Sequence, residues 1–188
     1  MSEKGFGFKV VIIGDGAVGK TSLIKKYTQG TFQKEYISTL GTQFSKYEEE
    51  IEGEKVELYL WDIAGQDQFQ ALRQRFYVGS SGAIIVFSHD PGQPQSYEHV
   101  PRWLDDLKKH CGNIPIVLFG NKIDLVDEEE LGTNSIIPTA DVNVENFVKE
   151  NRFLGYYKTS ALTGQGVTDA FKALVRKLYQ IAKITSFG

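Results

Sequence analysis

Eight consecutive residues constrain this chain more than any others. Gly14-Asp15-Gly16-Ala17-Val18-Gly19-Lys20-Thr21 fits the pattern of a glycine, four free positions, then glycine, lysine and serine or threonine. Average residue usage makes that pattern roughly a one-in-a-hundred accident in a chain this long. The context strengthens it. Residues 8–13 are a short apolar run that reads as a buried strand, and residues 20–29 carry Leu23, Ile24 and Tyr27 at helical spacing before Gly30, a plausible C-cap. A glycine loop between a strand and a helix binds anions. Backbone N–H groups and the helix N-terminus point at one place, and glycine lets the chain approach a phosphate closely. The expected cradle is the backbone of Gly16, Ala17, Val18, Gly19, Lys20, Thr21 and Ser22. Lys20 is expected to reach the outer phosphates, and the Thr21 hydroxyl to hold Mg²⁺.

The pattern downstream supplies the frame. Residues 41–51 and 55–63 flank Glu52-Gly53-Glu54, and Val56, Leu58 and Leu60 alternate with Glu57, Tyr59 and Trp61, which predicts a hairpin. Residues 83–87 and 114–119 are continuous apolar runs, and 155–158 a further short strand. Val100, Trp103, Leu104 and Leu107 form a helical stripe in which Pro101 is tolerable only in the first turn or at a kink. Val144, Phe147 and Val148 predict another helix. Val167, Phe171, Leu174, Val175, Leu178 and Ile181 predict a long final one. This is an α/β pattern: six strands in a mostly parallel sheet with one antiparallel edge strand, about five helices on its two faces, and one domain over residues 1–188.

Composition closes off other classes. Twenty-one basic against 24 acidic residues give a net charge of −3, so no nucleic acid holds this chain by overall charge. No apolar run approaches the ~18 residues of a bilayer span. A lone Cys111 excludes an intramolecular disulfide and fits a reducing, cytoplasmic setting.

Ligands on such sheets bind beyond the carboxyl ends of the strands, and the unusual residues fall there. Asp62-Ile63-Ala64-Gly65-Gln66 ends the hairpin: Asp62 can hold Mg²⁺ through water, Gly65 can offer its N–H to a terminal phosphate, and Gln66 can orient an attacking water. Asn121-Lys122-Ile123-Asp124 follows the fifth strand. The Asp124 carboxylate can accept from guanine N1–H and its 2-amino group, neither of which adenine has; a site built on such bonds rejects the analogue by roughly 10⁴–10⁵-fold. The Lys122 stem can lie along the base. Thr159-Ser160-Ala161-Leu162 follows the sixth strand, with the Ala161 N–H expected at guanine O6.

In order and spacing these motifs resemble the Ras superfamily of small GTPases over essentially the whole chain, most closely its Rab branch. Leu40-Gly41-Thr42-Gln43-Phe44 and Arg75-Phe76-Tyr77-Val78-Gly79 are similar to that branch's effector and switch segments. The resemblance implies the three-layer P-loop NTPase fold known as the G domain. It implies that Phe32 packs on guanine, Tyr36 covers the phosphates, and Thr39 binds Mg²⁺ and the γ-phosphate. It places switch I at about 31–40 and switch II at about 64–77, with Gln66, Lys20, Thr39 and Gly65 as the catalytic set. Phe44, Trp61 and Phe76 match an aromatic triad through which Rab proteins meet partners. The implied function is a GTP/GDP switch with slow hydrolysis that regulates membrane traffic or related signalling. It would act as a monomer through effectors, an exchange factor and an activating protein. The alternative is a GTP-binding recognition module with negligible turnover.

The chain also departs from the family. Leu162 stands where Ras and Rab chains usually carry lysine, and Ser160, Ala161 and Leu162 remain the expected base contacts. Thirty-eight residues separate Asn121 from Ser160, more than is usual, which points to an insertion at about 126–142. No cysteine stands at the written C-terminus for prenylation, so peripheral membrane attachment would need a lipidated tail beyond it.

Overall fold

The computed structural model describes residues 5–28, 42–65 and 70–186, with the side chains of 70–72 excepted. Side-chain alternation sets its layers. In β1 (Phe6–Ile13) Val10 and Ile12 point to one face of the sheet and Val11 and Ile13 to the other, all four buried. A strand apolar on both sides belongs in the middle of a sheet covered by helices. β1 pairs in parallel with β3 (Glu54–Ile63) and with β4 (Gly82–Ser88). β2 (Thr42–Ile51) pairs antiparallel with β3 at the edge. Its turn sits at Glu52 and Gly53, both at positive φ (53° and 79°), the twist that a two-residue hairpin loop needs. β5 (Ile116–Asn121) and β6 (Gly155–Lys158) complete the order β2-β3-β1-β4-β5-β6.

Helices cover both faces. Among the described residues, α1 (Lys20–Thr28) and α7 (Val167–Ser186) lie on one side, where Leu23, Tyr27, Phe171 and Leu174 join Val10 and Ile12. Residues of α2 (Gln70–Tyr77), α4 (Val100–Cys111) and α6 (Asp141–Glu150) cover the other, with Tyr77, Trp103, Leu104 and Val144 against Val11 and Phe87. Each such side chain contributes about 1.5–3 kcal/mol of burial. α1, α4, α6 and α7 are the helices that the apolar spacing predicts, and α2, which no stripe marks, brings them to the expected number. Two short helices add to them: α3 (Gln95–Glu98), just before α4, and α5 (Glu128–Thr133), inside the insertion.

Boundaries moved in instructive ways. Pro101 sits in the first turn of α4, where its missing N–H costs nothing. The fifth strand starts at Ile116 rather than at residue 114. It runs on through Asn121, so the asparagine expected in a loop is the last strand residue and is buried. Ile181, expected in the core stripe, is 37% exposed on the outer side of α7, while Tyr179 is buried and Ala182 packs against the core. Parallel pairing brings the ends of β1, β3, β4, β5 and β6 to one rim, where every motif lies.

Candidate functional site

The loop between β1 and α1 is shaped by its neighbours. Gly14 has φ +140°, and a Cβ there would collide with the Val86 carbonyl of β4; at Gly19 (φ +99°) a Cβ would collide with the Asn121 amide. These two glycines answer to close-packed protein, not directly to a ligand. Gly16 differs: nothing lies within 4 Å of where its Cβ would be. Ala17 adopts φ 61°, a strained conformation for a residue with a Cβ.

Lys20 opens α1 and is 7% exposed. Its ammonium folds back over the loop, donating to the carbonyls of Gly14 (2.9 Å) and Asp15 (2.7 Å). Burial lowers its pKa, against the pull of the Asp62 and Asp15 carboxylates. The Thr21 hydroxyl donates to the Asp62 carboxylate. Burial raises the Asp62 pKa, opposed by that hydrogen bond and by Lys20. A buried cation and a buried anion are thus both pushed toward neutrality, and a phosphate on one and a divalent cation on the other would relieve both. Gly65 packs against the same loop, where a Cβ would strike the backbone of Gly14, Asp15 and Gly16.

The base-reading motifs converge from two strands. Asn121 donates to the Val18 carbonyl (2.8 Å), and its Oδ1 accepts from the Thr159 hydroxyl (3.3 Å) and the Ala161 N–H (3.1 Å). The Ala161 N–H, expected at guanine O6, is therefore engaged with Asn121. Lys122 has φ 63°, and its ammonium is held at 3.0 Å by both Asp90 and Gln93. Asp124 lies in a 3₁₀ turn, Ile123–Leu125, and its carboxylate accepts from the Ser160 hydroxyl. Leu162 is 78% exposed, free to lie beside a ligand at the rim.

Several participants had no sequence signal. Asp15 occupies a free position of the glycine motif, yet it accepts from the Trp103 indole N–H (2.8 Å) and contacts His99 Nδ1 (2.6 Å), tying the loop to α4. Trp103 read only as core. Asp90 and Gln93 belong to no motif, and their grip on Lys122 exists only once β4 and β5 lie side by side. Phe44, Trp61 and Phe76 form a continuous, half-buried row, with ring centroids 5.2 and 5.7 Å apart. Phe32, Tyr36, Thr39 and Gln66 lie outside the described residues.

Thr21 and Asp62 present two hard oxygen donors in contact, one of them anionic and desolvated, which is a donor set that fits Mg²⁺. A strand, a glycine loop with a buried lysine, and a helix whose second residue faces a strand-end aspartate define a P-loop nucleotide-binding protein. The family model described as "Ras family" matches residues 9–180, and the chain belongs to that family of small GTPases, whose members bind GTP and GDP with Mg²⁺. It is similar to "Ras-related protein Rab11A" of Lotus japonicus, 37% identical over 96% of this chain and 76% of that one. It is also similar to "Ras-related protein RGP1" of Oryza sativa subsp. japonica, 38% identical over 93% of this chain and 73% of that one. "Ras-related protein RABA4b" of Arabidopsis thaliana is 36% identical over 92% and 72%. No helix among the described residues is long and apolar enough to cross a membrane.

Proposed function

We propose that this chain is a guanine-nucleotide switch that binds GTP or GDP with Mg²⁺ and hydrolyses GTP slowly. The observation that carries the reading is buried Lys20 folded over the glycine loop, with the Thr21 hydroxyl on the buried Asp62 carboxylate, beside the open side of Gly16. In this reading the N–H groups from Gly16 to Ser22 cradle the phosphates and Lys20 binds the outer two. Thr21, Thr39 and Asp62 would hold Mg²⁺, which supplies charge neutralisation for phosphoryl transfer. Gln66 orients the attacking water, and Gly65 offers its N–H to the γ-phosphate. Asp124, steadied by Ser160, reads the guanine edge, while Lys122, Ala161 and Leu162 line the base and Phe32 and Tyr36 close the site.

Residues 31–40 and 64–77 are the segments that change with the γ-phosphate. The row Phe44, Trp61 and Phe76 is the surface we assign to effectors and regulators. The process we assign is membrane traffic or related signalling, a reading supported by the Rab-type names of its relatives.

Two measurements test this. Labelled GTP should be displaced by GDP and not by ATP; displacement by ATP at similar concentration overturns the guanine assignment. Gln66→Leu should suppress single-turnover phosphate release while leaving GTP affinity within a few-fold. An unchanged rate removes Gln66 from its role.

A further inference from the structure

The insertion builds something of its own. Residues 126–139 fold against the segment that leaves β4 and enters α3, and a cavity of about 260 Å³ lies between them. Its wall is apolar: Leu131 and Ile137 of the insertion face Pro91 and Pro94 from the β4 side. No motif residue of the nucleotide site lines it.

The charge around it has one sign. Asp90, Glu98, Asp127 and Glu130 all border the cavity, and among the described residues no lysine or arginine does. Asp90 is spoken for by Lys122, but Glu98, Asp127 and Glu130 are exposed carboxylates. Among the described residues the one imidazole bordering it is His89, and burial lowers its pKa to about 4, so it stays neutral. Its Nε2 pairs with the Tyr156 hydroxyl at 2.8 Å, while Nδ1 is buried with no hydrogen-bond partner. Leu125 and Ile136, each next in sequence to a lining residue, are 51% and 89% exposed. The walls are braced: Lys158 of β6 bridges Glu128 (3.3 Å) and Asp141 (3.0 Å) at the two ends of the insertion.

An apolar hole ringed by carboxylates selects an apolar group carried between cations, since an acidic partner would be repelled and a purely polar one would gain nothing from the walls. We propose that this cavity is a docking site for a basic segment of a partner protein, which inserts one aliphatic side chain between the insertion and the β4–α3 segment while its lysines or arginines meet Glu98, Asp127 and Glu130. The site also touches the nucleotide machinery. Asp90 borders the cavity and holds Lys122, and Gln93 holds Lys122 while donating to the Gly16 carbonyl (3.4 Å). Occupancy should therefore change the rate of guanine-nucleotide release, a link that rests on the function proposed above and is read separately.

The probe is the peptide Lys-Arg-Leu-Arg-Lys added to the isotope-labelled full chain, followed by amide chemical shifts. Shifts should cluster at 88–98 and 126–139. Replacing the peptide's leucine by serine, or its cations by glutamates, should weaken binding by about tenfold or more, and so should Glu98→Lys with Glu130→Lys, both at exposed positions. Absence of shifts at about 1 mM peptide, equal binding of the serine peptide, or shifts elsewhere overturns the docking site. So does a dimer of the free chain that the two charge reversals dissolve, because a second copy would then be the occupant. Release of a fluorescent GDP analogue, with and without peptide, tests the link to the nucleotide. An unchanged rate ends that link, and failure of the analogue to bind at all overturns the function proposed above while leaving the shift map to decide the docking site.

Discussion

The Asn121 side-chain amide donates to the Val18 carbonyl at 2.8 Å, joining residues 103 positions apart. Its oxygen meanwhile accepts from Thr159 and Ala161, so one buried carboxamide pins the phosphate loop to both base-reading segments. Asn121→Ala leaves the Val18 carbonyl and the Ala161 N–H without these partners. Each buried orphan costs about 1–3 kcal/mol. The variant should lose about 2–6 kcal/mol of stability by urea denaturation and release bound guanine nucleotide about ten- to a hundredfold faster. A release rate equal to wild type shows that the clamp does not hold the ligand.

Gly65→Ala adds a Cβ where the backbone of Gly14, Asp15 and Gly16 already lies. Strand end and loop must separate. A displacement near 1 Å at a reacting centre can cost about a hundredfold in rate. We expect GTP hydrolysis to fall by that order, with GDP affinity falling by less, since the displaced loop holds the phosphates of both nucleotides while Gly65 itself is assigned to the terminal one. Paired titration and single-turnover assays separate the two effects. A larger loss of GDP affinity than of rate contradicts the assignment.

Asp124→Asn keeps an oxygen for the Ser160 hydroxyl to meet and replaces the other with an amide. That amide repels the 2-amino group of guanine and can donate to the 2-oxo group of xanthine. Calorimetry with GDP and with xanthosine diphosphate should show the preference inverted, each affinity moving by about a hundredfold or more. Unchanged preference for GDP places the base elsewhere.

His89 makes stability depend on pH. It is 4% exposed, and burial lowers its pKa from 6.5 to about 4, with Asp141 and Glu128 resisting and Lys158 assisting. The unfolded chain therefore takes up its proton first as pH falls. The stability contribution is fully present above about 6.5 and is lost as pH drops through that value toward 4, to a total of about 3 kcal/mol. His89→Gln should flatten the difference between denaturation curves at pH 7 and 4.5 by that order. An identical slope in wild type and variant means that other groups dominate.

Much of this protein was legible in its sequence because the constraints were local. A glycine loop needs a strand before it and a helix after it, and both are visible as apolar periodicity around residues 14–21. The hairpin was readable for the same reason: Glu52 and Gly53 set the turn, and alternation set the faces. The insertion was readable as surplus length, but not as one wall of a cavity. Its role depends on Pro91 and Pro94, which are distant in sequence and meet it only through the pairing of β4 with β5.

By itself, the sequence determined the α/β layering, the order of the motifs and the chemistry each could perform, since residue type and spacing within a few positions decide those. Only the tertiary structure decided that Gly14 and Gly19 answer to Val86 and Asn121, that Asp15 is held by Trp103 and His99, and that Lys122 is gripped by Asp90 and Gln93. The physical reason is common to all three. Hydrogen bonds and excluded volume act over about 3–4 Å, and only the parallel sheet brings these distant residues within that reach.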